Sequence, residues 1–150
     1  MEEGPPEEIA VENARRKAEA VASPGDLTLG VDTVVSLGER LYGKASSTDE
    51  ARATLKALSG RTHQVISGLC LSDGHNIHQT KAITKVRFRG LDERMIDFYL
   101  ATNEWRDRAG AYAIQGRGAA LVERIEGDYF NVVGLPVALL LELEPGLLQG

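Results

Sequence analysis

The chain has 150 residues, 43% of them hydrophobic and 26% charged, with a formal net charge of −5. This composition is typical of one globular domain, expected over residues 1–150, and a single cysteine excludes an internal disulfide. The net charge argues against indiscriminate binding to nucleic acid, and no apolar run approaches the roughly 18 residues of a membrane span. Because the N-terminus is acidic, it does not resemble a signal peptide, so we expect a cytoplasmic protein without membrane or nucleic-acid partners.

The first half of the chain predicts a helix, a hairpin and a second helix. Apolar spacing and an early excess of acids predict a helix from Pro6 to Ala22. A strand follows over 27–37, and the next turn residues predict a hairpin over 33–42. The stretch "SSTDEARATLKALSG" has helix-capping hydroxyls at its start and Gly60 at its end.

The second half predicts two strands and two helices around glycine-rich stretches. The segments "THQVISGLCLSDG" and "NIHQTKAITKVRFRGL" alternate as strands, and Asp92 opens a helix in "DERMIDFYLAT". The segment "GLPVALLLELEPGLL" predicts one C-terminal helix. Asn131 before it is expected to have a packing role, and capping or holding a loop is the alternative. Strands and helices are interspersed, and some strands are joined as hairpins. The order therefore predicts an α/β fold with a mixed central sheet and flanking helices.

One carboxylate interrupts the apolar run "LGVDTVV", namely Asp32. A buried carboxylate without a partner costs several kcal/mol, so we expect this one to be paired, metal-bound or placed where a strand meets a cleft. Lys17 lies on the preceding helix and Lys44 follows the hairpin. An acid between two bases suits a metal–phosphate site. A carboxylate that caps a turn, or a plain surface ion pair, is the alternative.

The stretch "RAGAYAIQGRG" contains three glycines, which require tight turns or close approaches. Gln115 within it carries a donor and an acceptor on one amide, so it can recognise the edge of a nucleobase. A glycine-rich surface turn is the alternative. The stretch is neither a dinucleotide-binding fingerprint nor a P-loop.

Four residues with reactive side chains are expected to pack in the core or face solvent, and not to take part in catalysis or metal binding. His63 stands at a strand start and is expected to be structural, whereas His75 and His78 are expected to face solvent. Their spacing matches no zinc pattern. Cys70 lies in an alternating strand and is expected to fill the core.

Several motifs together resemble one family, the Maf nucleoside triphosphate pyrophosphatases. They are, in order, "ARRKAEAVA", "GVDTVVSLGERLYGKA", "ALSGRTHQVISGL", "TKVRFRGL" and "RDRAGAYAIQGRGAALVERIEGDYFNVVGLP". The resemblance covers residues 2–145 and implies an elongated mixed α/β fold similar to that of the inosine triphosphatases. It also implies hydrolysis of nucleoside triphosphates to the monophosphate and pyrophosphate with a divalent cation, Mg or Mn. Family members are commonly dimeric, so a homodimer is expected.

The resemblance assigns roles by motif. It implies that Asp32 accepts a proton and binds the cation. The residues that it implies bind substrate are Lys17, Lys44, Thr33, Gln115 and Glu3. The "DT" and "IQG" motifs resemble those of the members that act on dTTP and UTP, and modified pyrimidine nucleotides are further candidates. A non-catalytic nucleotide-binding protein, or a regulator of septum formation with the same fold, is the alternative.

The chain also departs from the family pattern. The family begins with a strand and a Ser-x-Ser-Pro-Arg-Arg loop that binds phosphates, and this chain starts after them. Relative to the family it is N-terminally truncated, so we expect the chain as given to be a poor catalyst. Ala45 replaces a proline, and Arg108 replaces a lysine, which keeps the charge but alters the geometry.

Overall fold

The computed structural model describes residues 4–148. The α-helices are α1 (Pro6–Val21), α2 (Thr48–Leu58), α3 (Glu93–Ala101), α4 (Tyr129–Val133) and α5 (Val137–Leu143). The strands are β1 (Thr28–Leu37), β2 (Arg40–Tyr42), β3 (Thr62–Ser72), β4 (Ile77–Phe88) and β5 (Val122–Glu126), and 3₁₀-helices cover Arg117–Leu121 and Pro145–Leu148. Across residues 4–148, no helix combines the length and the apolar character that crossing a membrane requires.

The five strands form one sheet in the order β2-β1-β3-β4-β5. β1 and β2 pair antiparallel, with Val35 opposite Tyr42 and Leu37 opposite Arg40, so the predicted hairpin is confirmed. β4 and β5 also pair antiparallel. Because helices flank the sheet along the chain, the predicted mixed α/β class is confirmed as well.

Contacts divide the chain into two compact units. The first unit contains the residues up to Thr33, Ile66–Ile83 and those from Asp128 onward, and the second contains Val34–Val65 and Thr84–Gly127. Strands β1, β3 and β4 each contribute residues to both units. The single domain expected over residues 1–150 stays a prediction.

Short polar side chains explain why the starts of two predicted helices are correct. Ser47 accepts a hydrogen bond from the N–H of Glu50 at the start of α2, over 3.1 Å. Asp92 does the same for Met95 at the start of α3, over 2.9 Å. These N-caps satisfy backbone donors that the first helical turn leaves unpaired, so the sequence signal and the observed helix start coincide.

The C-terminal region differs from the prediction. In place of one helix over 134–148, the structure has the short helix α5 and a 3₁₀-helix over Pro145–Leu148, and α4 lies before them. Gly134, with φ +130°, ends α4, and Pro136 then precedes α5. Asn131 lies within α4 and is fully buried, so the packing role predicted for it is confirmed; its Nδ2 donates to the carbonyl of Ala82 over 3.2 Å. Gly134 and Pro136 thus separate α4 from α5, and α5 ends at Leu143, before Pro145, because proline lacks the N–H that would continue the helix.

Helix α1 packs closely on β1 and β3 in the first unit. Its buried face consists of Ile9, Ala10, Ala14 and Ala18. A Cβ atom at Gly30 of β1 would lie 2.1 Å from the carbonyl oxygen of Ala14. A Cβ atom at Gly68 of β3 would lie 2.3 Å from the carbonyl oxygen of Ala10. Only glycine permits this approach of helix backbone to sheet, and Cys70 packs beneath it as predicted.

The core of the second unit contains three rings that contact one another edge to face. The ring centroids of His63, Phe88 and Tyr112 are 4.8–5.4 Å apart. Nε2 of His63 lies 2.7 Å from the hydroxyl oxygen of Tyr112, and within residues 4–148 its Nδ1 has no hydrogen-bond partner. The structural role predicted for His63 is confirmed, as is the exposure of His75 and His78.

We predict that Gly30→Ala lowers the free energy of unfolding by roughly 1–3 kcal/mol or more, because the added methyl group overlaps helix backbone that has no room to yield. Urea unfolding of the purified protein measures the change. Gly90→Ala is the matched control, since a Cβ atom there meets nothing within 4 Å. Equal stability of the two variants would contradict the close packing of α1.

The buried imidazole of His63 predicts a dependence of stability on pH. Burial lowers the pKa of His63 from its ordinary value of 6.5 to about 4. The unfolded chain therefore binds a proton below pH 6.5 that the folded chain does not, and stability falls from pH 6.5 towards pH 4. The full loss is roughly 3 kcal/mol. Urea unfolding of wild type and His63→Phe at pH 7.5 and 5 tests this, because the wild type alone should lose the extra stability; parallel losses would contradict it.

Candidate active site

Asp32 is paired, as one of the sequence-based alternatives required. Its Oδ1 accepts a hydrogen bond from Nζ of Lys17 over 2.8 Å, and its Oδ2 accepts one from Nδ2 of Asn13 over 3.1 Å. The Lys17 ammonium also donates to the carbonyl oxygen of Val31 over 3.2 Å. The side chain of Asp32 is 17% exposed, whereas that of Lys17 is 57% exposed. A largely covered carboxylate thus has two donors, and one of them reaches solvent.

The packing of α1 places these donors. Asn13 and Lys17 are four residues apart on α1, so they lie one turn apart on the same face. Gly30 and Asp32 are two residues apart on β1, so they share the face that α1 covers. Because glycine brings the helix close to this face, both side chains reach the carboxylate.

This arrangement, which we call the Asp32 cluster (Asn13, Lys17 and Asp32), has a defined chemical capacity. Two donors fix the carboxylate orientation, and each oxygen keeps a lone pair that can accept a proton or bind a cation. The exposed ammonium of Lys17 can contact an anionic ligand such as a phosphate. An exposed lysine contributes little to stability through an ion pair, so orientation is the main consequence.

Thr33 points away from this cluster, because successive side chains on a strand alternate between faces. Its hydroxyl lies 2.8 Å from the hydroxyl of Ser67 on β3. Ser67 precedes Gly68, which contacts α1, so it too faces the side opposite the helix. The structure thus brings Asp32 and Lys17 together and puts Thr33 on the other face of the same strand.

Lys44 belongs to the second unit, where its backbone forms an antiparallel bridge with Ala109. The N–H of Gly110 also donates to the carbonyl of Tyr42 over 3.0 Å. A Cβ atom at Gly110, where φ is +73°, would lie 2.9 Å from the side chain of Val35. The start of the glycine-rich stretch is therefore held against the segment that carries the exposed Lys44.

Gln115 also belongs to the second unit and is exposed. It follows Ile114, which is buried, and precedes the glycine at position 116. Its amide is therefore presented to solvent from a segment that is anchored by a buried neighbour. This is the placement that recognition of a ligand edge requires.

The described residues fit a cation held in one particular way. Within residues 4–148 there is no group of three or more His, Cys, Asp or Glu side chains that could hold a metal ion. Mg²⁺ commonly binds through one or two carboxylates, with substrate phosphates and water completing its octahedron. Asp32 fits that mode as one carboxylate, whereas Glu3 lies outside the described residues.

Two residues that contact the predicted ones, Asn13 and Ser67, were not identified from the sequence. The signal for Asn13 was available, because it lies one helical turn before Lys17 and asparagine is disfavoured within helices. Ser67 had no comparable signal, since its contact with Thr33 depends on the pairing of β1 with β3.

Comparison with known proteins agrees with these observations. The chain is 48% identical over 145 residues to a dTTP/UTP pyrophosphatase of Pyrococcus furiosus, covering 95% of the chain and 76% of the relative. It is 48% identical over 146 residues to a protein of the same name from Thermococcus gammatolerans, covering 93% of the chain and 76% of that relative. The family model described as Maf-like protein matches residues 1–144. The chain therefore belongs to the Maf family.

Proposed function

We propose that this chain hydrolyses dTTP and UTP to the nucleoside monophosphate and pyrophosphate, and so acts on the cytoplasmic nucleotide pool. Relatives that carry the name dTTP/UTP pyrophosphatase support it, since they match nearly the whole chain. The observation that carries the proposal is the Asp32 carboxylate, which is largely covered and held in orientation by Lys17 and Asn13.

Asp32 acts as the general base in this proposal. A water molecule attacks the α-phosphorus and forms a new P–O bond, and its proton passes to a carboxylate oxygen of Asp32. The bond from the α-phosphorus to the oxygen that bridges to the β-phosphorus breaks, and pyrophosphate leaves with that bonding pair. Phosphoryl transfer depends mainly on positioning and charge stabilisation, so a well-oriented base is the main requirement.

The basic residues compensate charge on the substrate. Lys17 is exposed beyond Asp32, so its ammonium can contact a phosphate while it still orients the carboxylate. Lys44 is exposed on its own segment and is a second phosphate-binding residue. A bound Mg or Mn ion, with Asp32 as its one ligand among the described residues, would neutralise further negative charge.

Recognition of the pyrimidine is assigned to Gln115 and Thr33. A pyrimidine such as uracil or thymine presents a carbonyl beside an imide N–H, and one amide side chain can pair with both. Gln115 is exposed and carries such an amide. Thr33 supplies a hydroxyl whose partner, Ser67, leaves it a further hydrogen-bonding position.

We predict that Asp32→Asn lowers kcat for dTTP by roughly 10²–10⁴-fold, because it removes the base without changing side-chain volume. Pyrophosphate release measures the loss, and circular dichroism checks the fold. Asp26→Asn is the matched control, since Asp26 is exposed in the turn before β1. An Asp32→Asn variant that kept a tenth of wild-type kcat would refute Asp32 as the general base. If the wild type bound nucleotide but released no pyrophosphate, that result would favour a non-catalytic nucleotide-binding protein.

We predict that Gln115→Ala lowers kcat/KM for dTTP and UTP by about 5- to 100-fold more than for ATP and GTP, the range for losing one base-edge contact of this kind. Steady-state pyrophosphate release across the four nucleotides measures the ratio. Gln79→Ala, an exposed glutamine on β4, serves as the control. A uniform loss for all four nucleotides would remove Gln115 from base recognition.

A further inference from the structure

We infer that Glu104, together with Tyr99, is a positioning residue that holds the backbone on both sides of Gln115. By holding it, the pair enables Gln115 to distinguish pyrimidine from purine nucleotides. The inference rests on the proposed function for the role of Gln115, and on the contacts within the second unit for the role of Glu104. Neither Glu104 nor Tyr99 is part of the site described above.

The carboxylate of Glu104 binds the backbone that follows Gln115. Its Oε2 accepts a hydrogen bond from the N–H of Arg117 over 2.9 Å, and its Oε1 accepts one from the N–H of Gly118 over 3.2 Å. Hydrogen bonds from backbone N–H groups to a charged acceptor are stronger than neutral ones. The hydrogen bond from the Arg117 N–H accordingly holds the pKa of Glu104 below its ordinary value, so the carboxylate stays charged.

Tyr99 extends the same network to the backbone that precedes Gln115. Its hydroxyl donates to Oε1 of Glu104 over 3.2 Å and accepts the N–H of Ala113 over 2.9 Å. Tyr99 itself is 1% exposed in the core, so its ring cannot follow a moving loop. The Glu104–Tyr99 pair thus fixes backbone atoms on both sides of Gln115.

Gly116 allows the carboxylate to lie directly against the turn. A Cβ atom there would lie 2.6 Å from both carboxylate oxygens of Glu104. A residue larger than glycine would therefore displace the carboxylate and weaken its contacts with the turn. The Glu104–Tyr99 pair and Gly116 together hold the backbone rigid beneath the exposed side-chain amide of Gln115.

The functional consequence concerns base choice more than chemistry. An amide that makes two hydrogen bonds to a base edge needs both partners in line, so a mobile turn weakens pyrimidine recognition first. Loss of Glu104 should reduce the advantage of dTTP and UTP over ATP and GTP, with a smaller effect on ATP and GTP themselves.

The first experiment measures amide hydrogen exchange by NMR without nucleotide. Glu104→Gln replaces one of the two carboxylate oxygens that accept backbone hydrogen bonds with an NH₂ group, which cannot accept them. We therefore expect the backbone amides of Arg117 and Gly118 to exchange about tenfold faster. Gly116→Ala displaces the carboxylate without replacing it and should act in the same direction. The control is Glu123→Gln, which removes an exposed carboxylate that pairs with Arg87 over 2.9 Å.

The second experiment is a double-mutant cycle on the ratio of kcat/KM for UTP to that for ATP. Glu104→Gln and Tyr99→Phe should each lower this ratio roughly fivefold or more. In the Gln115→Ala background neither should lower it further, because the amide that they position is gone. A role in general stability would instead reduce all activities equally, and it would leave this ratio unchanged in both backgrounds.

The outcomes separate the two claims. Unchanged exchange of both amides in Glu104→Gln and Gly116→Ala would overturn the inference, whatever the activity. Suppose that Gln115→Ala lowers the ratio of kcat/KM for UTP to that for ATP, but Glu104→Gln leaves this ratio unchanged. That result would overturn the inference about Glu104 and leave the proposed function intact. A folded wild type that releases no pyrophosphate from any nucleotide would contradict the proposed function, and amide exchange would still decide whether Glu104 holds the turn.

Discussion

The approach of α1 to the sheet is the constraint on which the Asp32 cluster depends. Glycines at positions 30 and 68 leave space that the backbone of the helix occupies, and the small residues Ala10 and Ala14 face them. Packing of this kind has no room for an added methyl group, so it determines the height of the helix above the strand. That height in turn decides which helix side chains can reach Asp32.

Asp32 and Gln115 show two ways of presenting a polar group. Asp32 is largely covered, and it needs donors because an unpaired carboxylate away from water is costly. Gln115 is exposed and needs no partner of its own, but its backbone must be rigid if the amide is to select a ligand. Side chains from α1 orient the first residue, and Glu104 binds the backbone beside the second. In both cases the orienting group is remote in sequence from the residue that it orients.

Local signals allowed most of the secondary structure to be predicted. Capping residues such as Ser47 and Asp92 act within three positions of their own helix starts, so sequence neighbours are sufficient to identify them. The C-terminal region is the exception. Its leucines have helical spacing, but α5 ends before Pro145, and the buried Asn131 depends on a contact with a strand far away in sequence.

The sequence by itself determined the fold class, the motifs of the family and the identity of the unusual residues Asp32 and Gln115. It also required a partner for Asp32, because the cost of burying a charge is a general property of carboxylates. Only the tertiary structure decided that the partners are Lys17 and Asn13, and that Glu104 holds the turn beside Gln115. These contacts depend on how closely α1 packs on β1 and on how the loop beside Gln115 folds back onto Glu104. Packing between segments that are distant in sequence sets these distances, and local sequence patterns do not predict such packing.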